Sequence, residues 1–298
     1  MAVLSIQDIA KSYGKIQALN GISFQVPEGS VFGILGPNGS GKTTLLSIIL
    51  DVLKADRGQY SWFGKHGSKE MRKKIGSLLE TPNFYHYLSA IDNLRITSAI
   101  SGRGQHPDEI NAALKKVSLY DRRKHRFSSY SLGMKQRLAI GAALLGSPRV
   151  LVLDEPTNGL DPVGIAEIRD LIQELRHNGH TIIMASHLLD EVEKLCTHVA
   201  ILKNASLLVS GPVDEVLADE DIIELGARDM ELLWKLLSEY EANSGLRREN
   251  NFIHLHTAKG MANPEKINDY CMRQGVVLSH LVLKRKKLET KFFELTNQ

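Results

Sequence analysis

The sequence predicts an α/β fold with a largely parallel sheet at its core. Apolar runs and segments of helical length alternate along the chain: a helix over 134–145, a strand over 150–153, a helix over 163–178 and a strand over 181–185. Continuous apolar strands are typical of a parallel sheet that helices cover on both faces. A glycine-rich stretch, GPNGSGKT, also indicates this fold class. It lies between the apolar run VFGIL and a predicted helix over 43–53.

Two further regions have sequence patterns that differ from that of this core. The first 35 residues alternate short apolar runs with turn signals such as Pro27-Glu28-Gly29, and we predict strands there. From about 82 to 146 the pattern is mostly helical, with predicted helices over 90–100 and over 108–119. We therefore expect a helical insertion within the α/β core.

The character of the chain changes again near Ser210-Gly211-Pro212. We predict one domain over 1–217 and a small accessory α/β domain over 218–298. Leu288, Phe292 and Leu295 are spaced as one apolar stripe of a helix. The other elements predicted in this second domain are a helix over 230–240, a strand over 252–256, a helix over 264–273 and a strand over 276–283.

Composition excludes some classes of protein. Of 298 residues, 43% are hydrophobic and 24% are charged, as in ordinary globular proteins. Apolar runs such as 139–145 are far shorter than the roughly 20 residues that a membrane helix needs, and the N-terminus lacks the pattern of a signal peptide.

A net charge of +3 is too small to indicate nucleic acid, and we interpret the basic runs 122–126 and 284–287 as solvated surface. Cys196 and Cys271 are expected to be buried free thiols.

The glycine-rich stretch predicts a nucleotide-phosphate loop. Its glycines, expected to take positive φ, allow consecutive backbone N–H groups to surround a phosphate. Lys42 is expected to reach the β- and γ-phosphates, and the Thr43 hydroxyl to bind Mg²⁺, at the positive end of the following helix. The residues expected to contact ATP here are Gly36, Pro37, Asn38, Gly39, Ser40, Gly41, Lys42, Thr43 and Thr44.

A phosphate loop also needs a carboxylate for the metal and a group that activates water. Asp154 and Glu155 follow the apolar strand predicted at 150–153. We expect Asp154 to hold Mg²⁺, generally through water, and Glu155 to act as the general base. Capping of a strand end is the alternative role for this pair.

Five motifs together resemble the nucleotide-binding domain of ATP-binding cassette (ABC) transporters, over about Ala2 to Leu217. The segment YSLGMKQR at 130–137 is similar to the LSGGQ signature of that family. NGLD at 158–161 is similar to its D-loop, and MASH, ending at His187, to its switch histidine. The resemblance implies a P-loop NTPase of ABC type, with an N-terminal antiparallel β subdomain and a helical subdomain at about 82–146.

The resemblance also implies a head-to-tail homodimer that encloses two ATP molecules. In such a dimer Ser131 and Gly133 contact the ATP of the second copy, and His187 contacts the γ-phosphate. The resemblance implies that Glu155, His187 and Lys42 are the catalytic residues, and that Asp161 couples the two sites. Tyr13 lies where the family has an aromatic residue that stacks on adenine; a core tyrosine is the alternative.

The chain departs from the family pattern in two places. The signature has Tyr130, Leu132 and Met134 where LSGGQ has Leu, Gly and Gln. Glu80 stands where the family has a glutamine that contacts the metal; it is either a Mg²⁺ ligand through water or a tolerated variant. Glu80 and this signature together are similar to the bacitracin- and lantibiotic-resistance branch of ABC exporters.

The expected function follows from this resemblance. It implies that the chain powers the export of a small molecule or peptide by separate integral membrane permease subunits, and lies in the cytoplasm against the inner face of the membrane. Phe84 to Tyr87 either dock on those subunits or pack the helical subdomain. The alternative is a soluble ABC-type ATPase that acts on ribosomes or DNA. No direct contact with nucleic acid is expected, because the chain has neither two cassettes nor long coiled coils. The segment 218–298 is interpreted as a support for the dimer; contact with the membrane subunits or sensing of a regulator are the alternatives.

Overall fold

The computed structural model describes residues 1–65, 69–79, 83–102, 106–217, 220–258, 261–284, 288–289 and 291–292. The chain divides into two compact units, Met1–Pro212 and Val213–Gln298. The division follows Pro212, whereas the sequence pattern placed it after Leu217. Within the described residues, no helix is long and apolar enough to cross a membrane.

The first unit is built from two sheets and a group of helices. In chain order its elements are β1 (Ala2–Tyr13), β2 (Ile16–Pro27), β3 (Val31–Leu35), α1 (Lys42–Ile49), β4 (Arg57–Trp62), α2 (Lys69–Arg72), β5 (Ile75–Leu78), α3 (Ala90–Ile100), α4 (Pro107–Lys116), a 3₁₀ turn (Phe127–Ser129), α5 (Leu132–Ala143), β6 (Val150–Asp154), α6 (Pro162–His177), β7 (Thr181–Ser186), α7 (Leu189–Leu195), β8 (His198–Lys203) and β9 (Ser206–Pro212).

The central sheet has six strands in the order β5-β6-β7-β3-β8-β9. All neighbours are parallel except β9, which is antiparallel to β8. Every residue of β3, β6 and β7 is buried, as expected for parallel strands that are covered on both faces. The prediction of a largely parallel α/β core is thus confirmed, and the carboxyl ends of β3, β6 and β7 lie side by side.

The second sheet, in the order β2-β1-β4, is antiparallel. Its first two strands form a hairpin that turns at Gly14, where φ is +59°. Buried side chains such as Ile6, Ile9 and Ile22 pack it into the same core as β3 and α1. The N-terminal antiparallel subdomain is therefore present, with strands longer than the apolar runs predicted.

Local backbone chemistry sets where the helices begin and end. α3 has the predicted bounds because Ser89 caps it and accepts a hydrogen bond from the Asp92 N–H. α5 begins two residues earlier than predicted, after the cap Ser131. α1 stops before the predicted end because Asp51 takes φ of +63°, and α4 stops early for the same reason at Ser118, with φ of +55°.

The second unit is a four-stranded antiparallel sheet with helices. Its elements are α8 (Val213–Leu217), β10 (Glu220–Ala227), α9 (Met230–Ser238), β11 (Gly245–Glu249), β12 (Phe252–Ala258), α10 (Pro264–Arg273) and β13 (Leu278–Lys284). After α8, the order βαββαβ and the strand order β11-β12-β10-β13 are those of a ferredoxin-like fold.

Sequence patterns identified only part of this second unit. α10 has the predicted bounds, and α9, β12 and β13 lie within two residues of their predicted starts. β10 and β11 were not predicted, because charged residues interrupt their apolar alternation. At the end of the chain, Leu288 and Phe292 are helical and Leu288 is buried, while Leu295 is outside the described residues.

Candidate functional site

The glycine-rich loop joins the end of β3 to the start of α1. Gly39 and Gly41 have φ of +80° and +103°, as the sequence predicted for the glycines of this loop. Gly36 does not, so the prediction of a positive φ is wrong there. Gly36 is required by close packing instead: a Cβ atom on it would lie 2.4 Å from Ser40 Oγ and 2.5 Å from the backbone oxygen of Leu202.

Lys42 points back into this loop. Its Nζ donates hydrogen bonds to the backbone oxygens of Gly36, at 2.8 Å, and Pro37, at 3.3 Å. It also lies 3.8 Å from Glu155 Oε1. Burial lowers the pKa of Lys42, and the neighbouring carboxylates of Glu155 and Asp154 oppose that shift. The amine is thus a buried cation that the loop and one carboxylate hold where a phosphate would enter.

Thr43 and Asp154 meet at the next position of the site. Thr43 Oγ1 donates a hydrogen bond of 2.8 Å to Asp154 Oδ2, and Asp154 is 2% exposed at the end of β6. Two oxygen ligands at adjacent corners of an octahedral Mg²⁺ are about 2.9 Å apart, since each Mg–O bond is about 2.0–2.1 Å. The hydroxyl and carboxylate oxygens present here therefore fit a Mg²⁺ site in both type and spacing.

Glu155 and His187 form a hydrogen-bonded pair at the carboxyl ends of β6 and β7. The parallel register pairs Asp154 with Ala185, so the residues that follow the two strands face each other. His187 Nδ1 lies 2.8 Å from Glu155 Oε2. Glu155 has φ of +48°, a conformation that costs a non-glycine residue free energy and that is concentrated at functional sites.

A cavity of about 240 Å³ opens at this edge of the sheet. The sequence had singled out all of its lining residues except Ala18, whose small apolar side chain gives no chemical signal. α1 begins here after Gly41 with no acidic residue in its first turn, so its N-terminal N–H groups suit an anion. The lining residues are Ala18, Asn38, Gly39, Gly41, Lys42, Thr43, Thr44 and Glu155.

The remaining predicted site residues lie apart from this lining or outside the description. Tyr13 is at the end of β1, 50% exposed, with Lys11 Nζ 5.7 Å from its ring centre. An exposed ring does not fit the alternative of a core tyrosine. Glu80 lies outside the described residues.

In the signature segment, Tyr130–Arg137, Ser131 and Leu132 are exposed. Ser131 Oγ accepts a hydrogen bond from the Met134 N–H and so caps α5. A Cβ atom on Gly133 would meet nothing closer than 4.0 Å among the described residues. Packing within this unit therefore does not require the glycine. Tyr130 is buried, and its hydroxyl donates to the backbone oxygen of Arg122.

The D-loop, Asn158–Asp161, connects Glu155 to α6. The Asn158 N–H donates to the backbone oxygen of Glu155 at 3.1 Å. Asp161 Oδ1 accepts from the Gly164 N–H at 2.8 Å and caps α6. Asp161 thus has a structural role inside this unit, in addition to the coupling role that the sequence suggested.

The segment Phe84 to Tyr87 contributes both packed and exposed side chains, and its docking on membrane subunits stays a prediction. The rings of Phe84 and His86 lie edge-on to Phe127, with centroids 5.2 and 5.5 Å away. Tyr85 and Tyr87 are 50% and 69% exposed, and their ring centroids are 5.9 Å apart. Phe84 is therefore partly buried against Phe127, whereas Tyr85, His86 and Tyr87 are exposed, although the His86 ring also contacts Phe127.

Comparison with known proteins gives consistent results along the chain. The family model described as ABC transporter matches residues 19–158. The lantibiotic transport ATP-binding protein SrtF of Streptococcus pyogenes is 39% identical over 212 residues, which cover 71% of this chain and 92% of that protein. The bacitracin transport ATP-binding protein BcrA of Enterococcus faecalis is 33% identical, and its match covers 98% of this chain and 96% of BcrA.

Solved structures agree with this assignment. The ADP conformation of the ATP-binding cassette MJ1267 matches with a TM-score of 0.66 and 28% identity, covering 72% of this chain and 92% of that one. A dimeric post-hydrolysis state of the cassette MJ0796, bound to ADP and Pi, matches with a TM-score of 0.63 and 25% identity, over 70% and 98% of the two chains. The chain belongs to the ABC transporter family of ATP-binding proteins and is an ATPase of that class.

Proposed function

We propose that this chain is the nucleotide-binding subunit of a transporter, and that it powers the export of a small molecule or peptide by partner membrane subunits. The observation that carries this proposal is the match to BcrA, which extends over nearly the whole chain. BcrA is named as a bacitracin transport ATP-binding protein. SrtF, named for lantibiotic transport, supports the same substrate class, because both names refer to peptide antibiotics.

The geometry supports a division of roles among the site residues. ATP enters the glycine-rich loop, and Lys42 exchanges the backbone oxygens of Gly36 and Pro37 for phosphate oxygens. Thr43 and Asp154 would hold Mg²⁺, which would supply positive charge next to the phosphates.

Hydrolysis then follows from the Glu155–His187 pair. Glu155 accepts a proton from water as the water oxygen bonds to the γ-phosphorus and the bond to the β-phosphate oxygen breaks, giving ADP and phosphate. His187 holds the carboxylate by a hydrogen bond of 2.8 Å, and in this proposal it also contacts the γ-phosphate.

A second copy of the chain completes the nucleotide site. Ser131 and Gly133 lie on an exposed helix N-terminus, and the lining of the cavity around Lys42 in the described residues includes neither of them. In a head-to-tail dimer this turn faces the ATP of the other copy. The dimeric MJ0796 structure supports such an assembly. Closure on ATP and opening after hydrolysis then transmit force to the membrane subunits.

The exposed tyrosines mark the proposed docking surface for those subunits. The buried side chain of Asn93 holds the backbone of Tyr85 by two hydrogen bonds, of 2.8 and 3.1 Å. Tyr85 also lines a cavity of about 370 Å³ beside Ile100, which is 80% exposed. Aromatic residues are enriched at protein interfaces, and a fixed backbone lowers the entropy cost of docking. The chain would then lie at the cytoplasmic face of a membrane.

Recovery of partners from cells tests the proposal. We expect the tagged full chain, taken from detergent-solubilised membranes, to bring with it an integral membrane protein. Tyr87→Ser should reduce this recovery, whereas Val52→Ser, which removes another side chain that is 71% exposed, should not. Recovery of ribosomes or DNA in place of a membrane protein would refute the transport role.

A further inference from the structure

Two segments that serve different steps of the proposed cycle are packed together inside one chain. They are the signature segment, Tyr130–Arg137, and the D-loop, Asn158–Asp161. A Cβ atom added at Gly159 would lie 3.3 Å from Leu132 Cδ2, so the leucine side chain lies directly on the glycine. Leu132 stands at the position where the LSGGQ signature has glycine. This contact therefore exists because the chain departs from the family pattern.

A second leucine packs in the opposite direction. Leu160, from the D-loop, places Cδ2 at 4.0 Å from the position of a Cβ atom on Gly133. Its Cβ atom lies 3.4 Å from the corresponding position on Gly164, in the first turn of α6. Each segment thus contributes one leucine that packs on a glycine of the other segment. An ion pair of 3.5 Å between Arg137 and Glu167 joins the helices that follow.

The D-loop in turn contacts the catalytic carboxylate residue. The Asn158 N–H donates to the backbone oxygen of Glu155, and Gly159 has φ of +74°, which a residue with a side chain rarely adopts. The D-loop is thus joined to the backbone of Glu155 by a hydrogen bond of 3.1 Å from its first residue. Glu155 itself is held at φ of +48°, a strained conformation that persists only where its surroundings hold it.

We infer that Leu132 is a positioning residue that couples the signature turn to the D-loop of the same chain. This inference rests on the proposed dimer, in which the signature turn faces the ATP of the second copy. ATP bound against Ser131 fixes the signature turn. The contact between Leu132 and Gly159 then fixes the D-loop, and the hydrogen bond from Asn158 fixes the backbone of Glu155. Occupancy of one site thereby sets the geometry of the general base at the other.

The side chain of Leu132 suits this role because it is half covered. It is 48% exposed in the single chain, so a substitution there removes a local contact and leaves the folded core intact. Glycine would leave a gap between the signature turn and the D-loop, and the two segments would lose their van der Waals contact. Methionine has similar volume and would keep it.

The test compares Leu132→Gly with Leu132→Met in the full chain. We expect Leu132→Gly to lower kcat by about 2- to 30-fold, the range that mutations in coupling networks cover. It should also bring the Hill coefficient for ATP towards one, with little change in the ATP affinity of the monomer. Leu132→Met should restore both values. As a matched control, Leu232→Gly removes a leucine that is 41% exposed in the first turn of α9, and we expect no effect.

Hydrogen exchange in a hydrolysis-deficient Glu155→Gln background gives a direct measurement. With ATP, the amides of the D-loop should exchange more slowly, and Leu132→Gly should reduce that protection while the dimer persists. Unchanged kcat, cooperativity and protection in Leu132→Gly would overturn the coupling role. Failure of the Glu155→Gln chain to dimerise with ATP would instead refute the proposed dimer, so the two failures are distinguishable.

Discussion

Replacement of Glu155 by glutamine should separate ATP binding from ATP hydrolysis in this site. The change keeps the size of the side chain and a hydrogen-bonding partner for His187, 2.8 Å away, but removes the oxygen that accepts a proton from water. General-base assistance contributes about 10²- to 10⁴-fold to a rate, equivalent to about 3–5 kcal/mol in the barrier. We therefore expect kcat to fall by that factor.

Binding should respond differently from turnover. Glu155 Oε1 lies 3.8 Å from Lys42 Nζ and competes with incoming phosphate for this cation. Neutralising the carboxylate removes that competitor and a negative charge beside the phosphates. ATP affinity should be unchanged or higher, and the ATP-bound dimer should accumulate because it is no longer consumed.

Single-turnover ATPase kinetics and size-exclusion chromatography with Mg-ATP measure the two effects on one preparation. Glu174→Gln is the matched control, because Glu174 is an exposed glutamate on α6, in the same unit. If Glu155→Gln retained wild-type turnover, the assignment of the general base would be wrong. Equal losses of turnover and affinity would show that Glu155 acts by holding the loop rather than by taking a proton.

Two further predictions concern packing and charge. Gly36→Ala should destabilise the first unit by about 1–3 kcal/mol through overpacking and should weaken ATP binding, although the φ of Gly36 is not positive. Adding Ser40→Gly to the same chain should not restore ATP binding, because the clash with the backbone oxygen of Leu202 remains. Thermal unfolding and equilibrium ATP binding would check this, and full rescue would contradict it. In the second unit, hydrogen bonds from Lys284, His254 and His280 lower the pKa of Glu224 to about 2, so its stabilising effect is complete above about pH 4.5 and is lost as the pH falls towards 2. Hydrogen exchange of β10 and β12 should therefore accelerate over that range in the wild type and much less in Glu224→Gln; equal pH dependence of the two would refute it.

The core of the fold was predictable because its signals are local and strong. Residues 150–153 of β6 and 182–185 of β7 are continuously apolar, which predicts buried strands of a parallel sheet. Strands β10 and β11 were not predictable in this way. Glu224 is buried in β10 because partners on β12 and β13 satisfy it, and such partners are distant in sequence.

The candidate site shows the same limit. The identities of the phosphate-loop residues could be predicted, since each type has a stated chemical role. The reason why position 36 requires glycine could not be predicted, because it depends on close packing against the backbone oxygen of Leu202, which is far along the chain. Nor could the contact between Leu132 and Gly159, for it joins two segments whose proximity only the tertiary fold determines.

The polar groups that would receive Mg-ATP already have partners within the protein. Lys42 is hydrogen-bonded to Gly36 and Pro37, and Thr43 is hydrogen-bonded to Asp154. Binding to a single chain therefore exchanges hydrogen bonds, and the net gain from each exchange is small. The N–H groups of the loop and α1 would supply the attraction, and in the proposed dimer further contacts would form when a second chain closes over the nucleotide. ATP should accordingly bind the monomer weakly and the dimer tightly, so the free energy of closure is what the protein can deliver to a membrane partner.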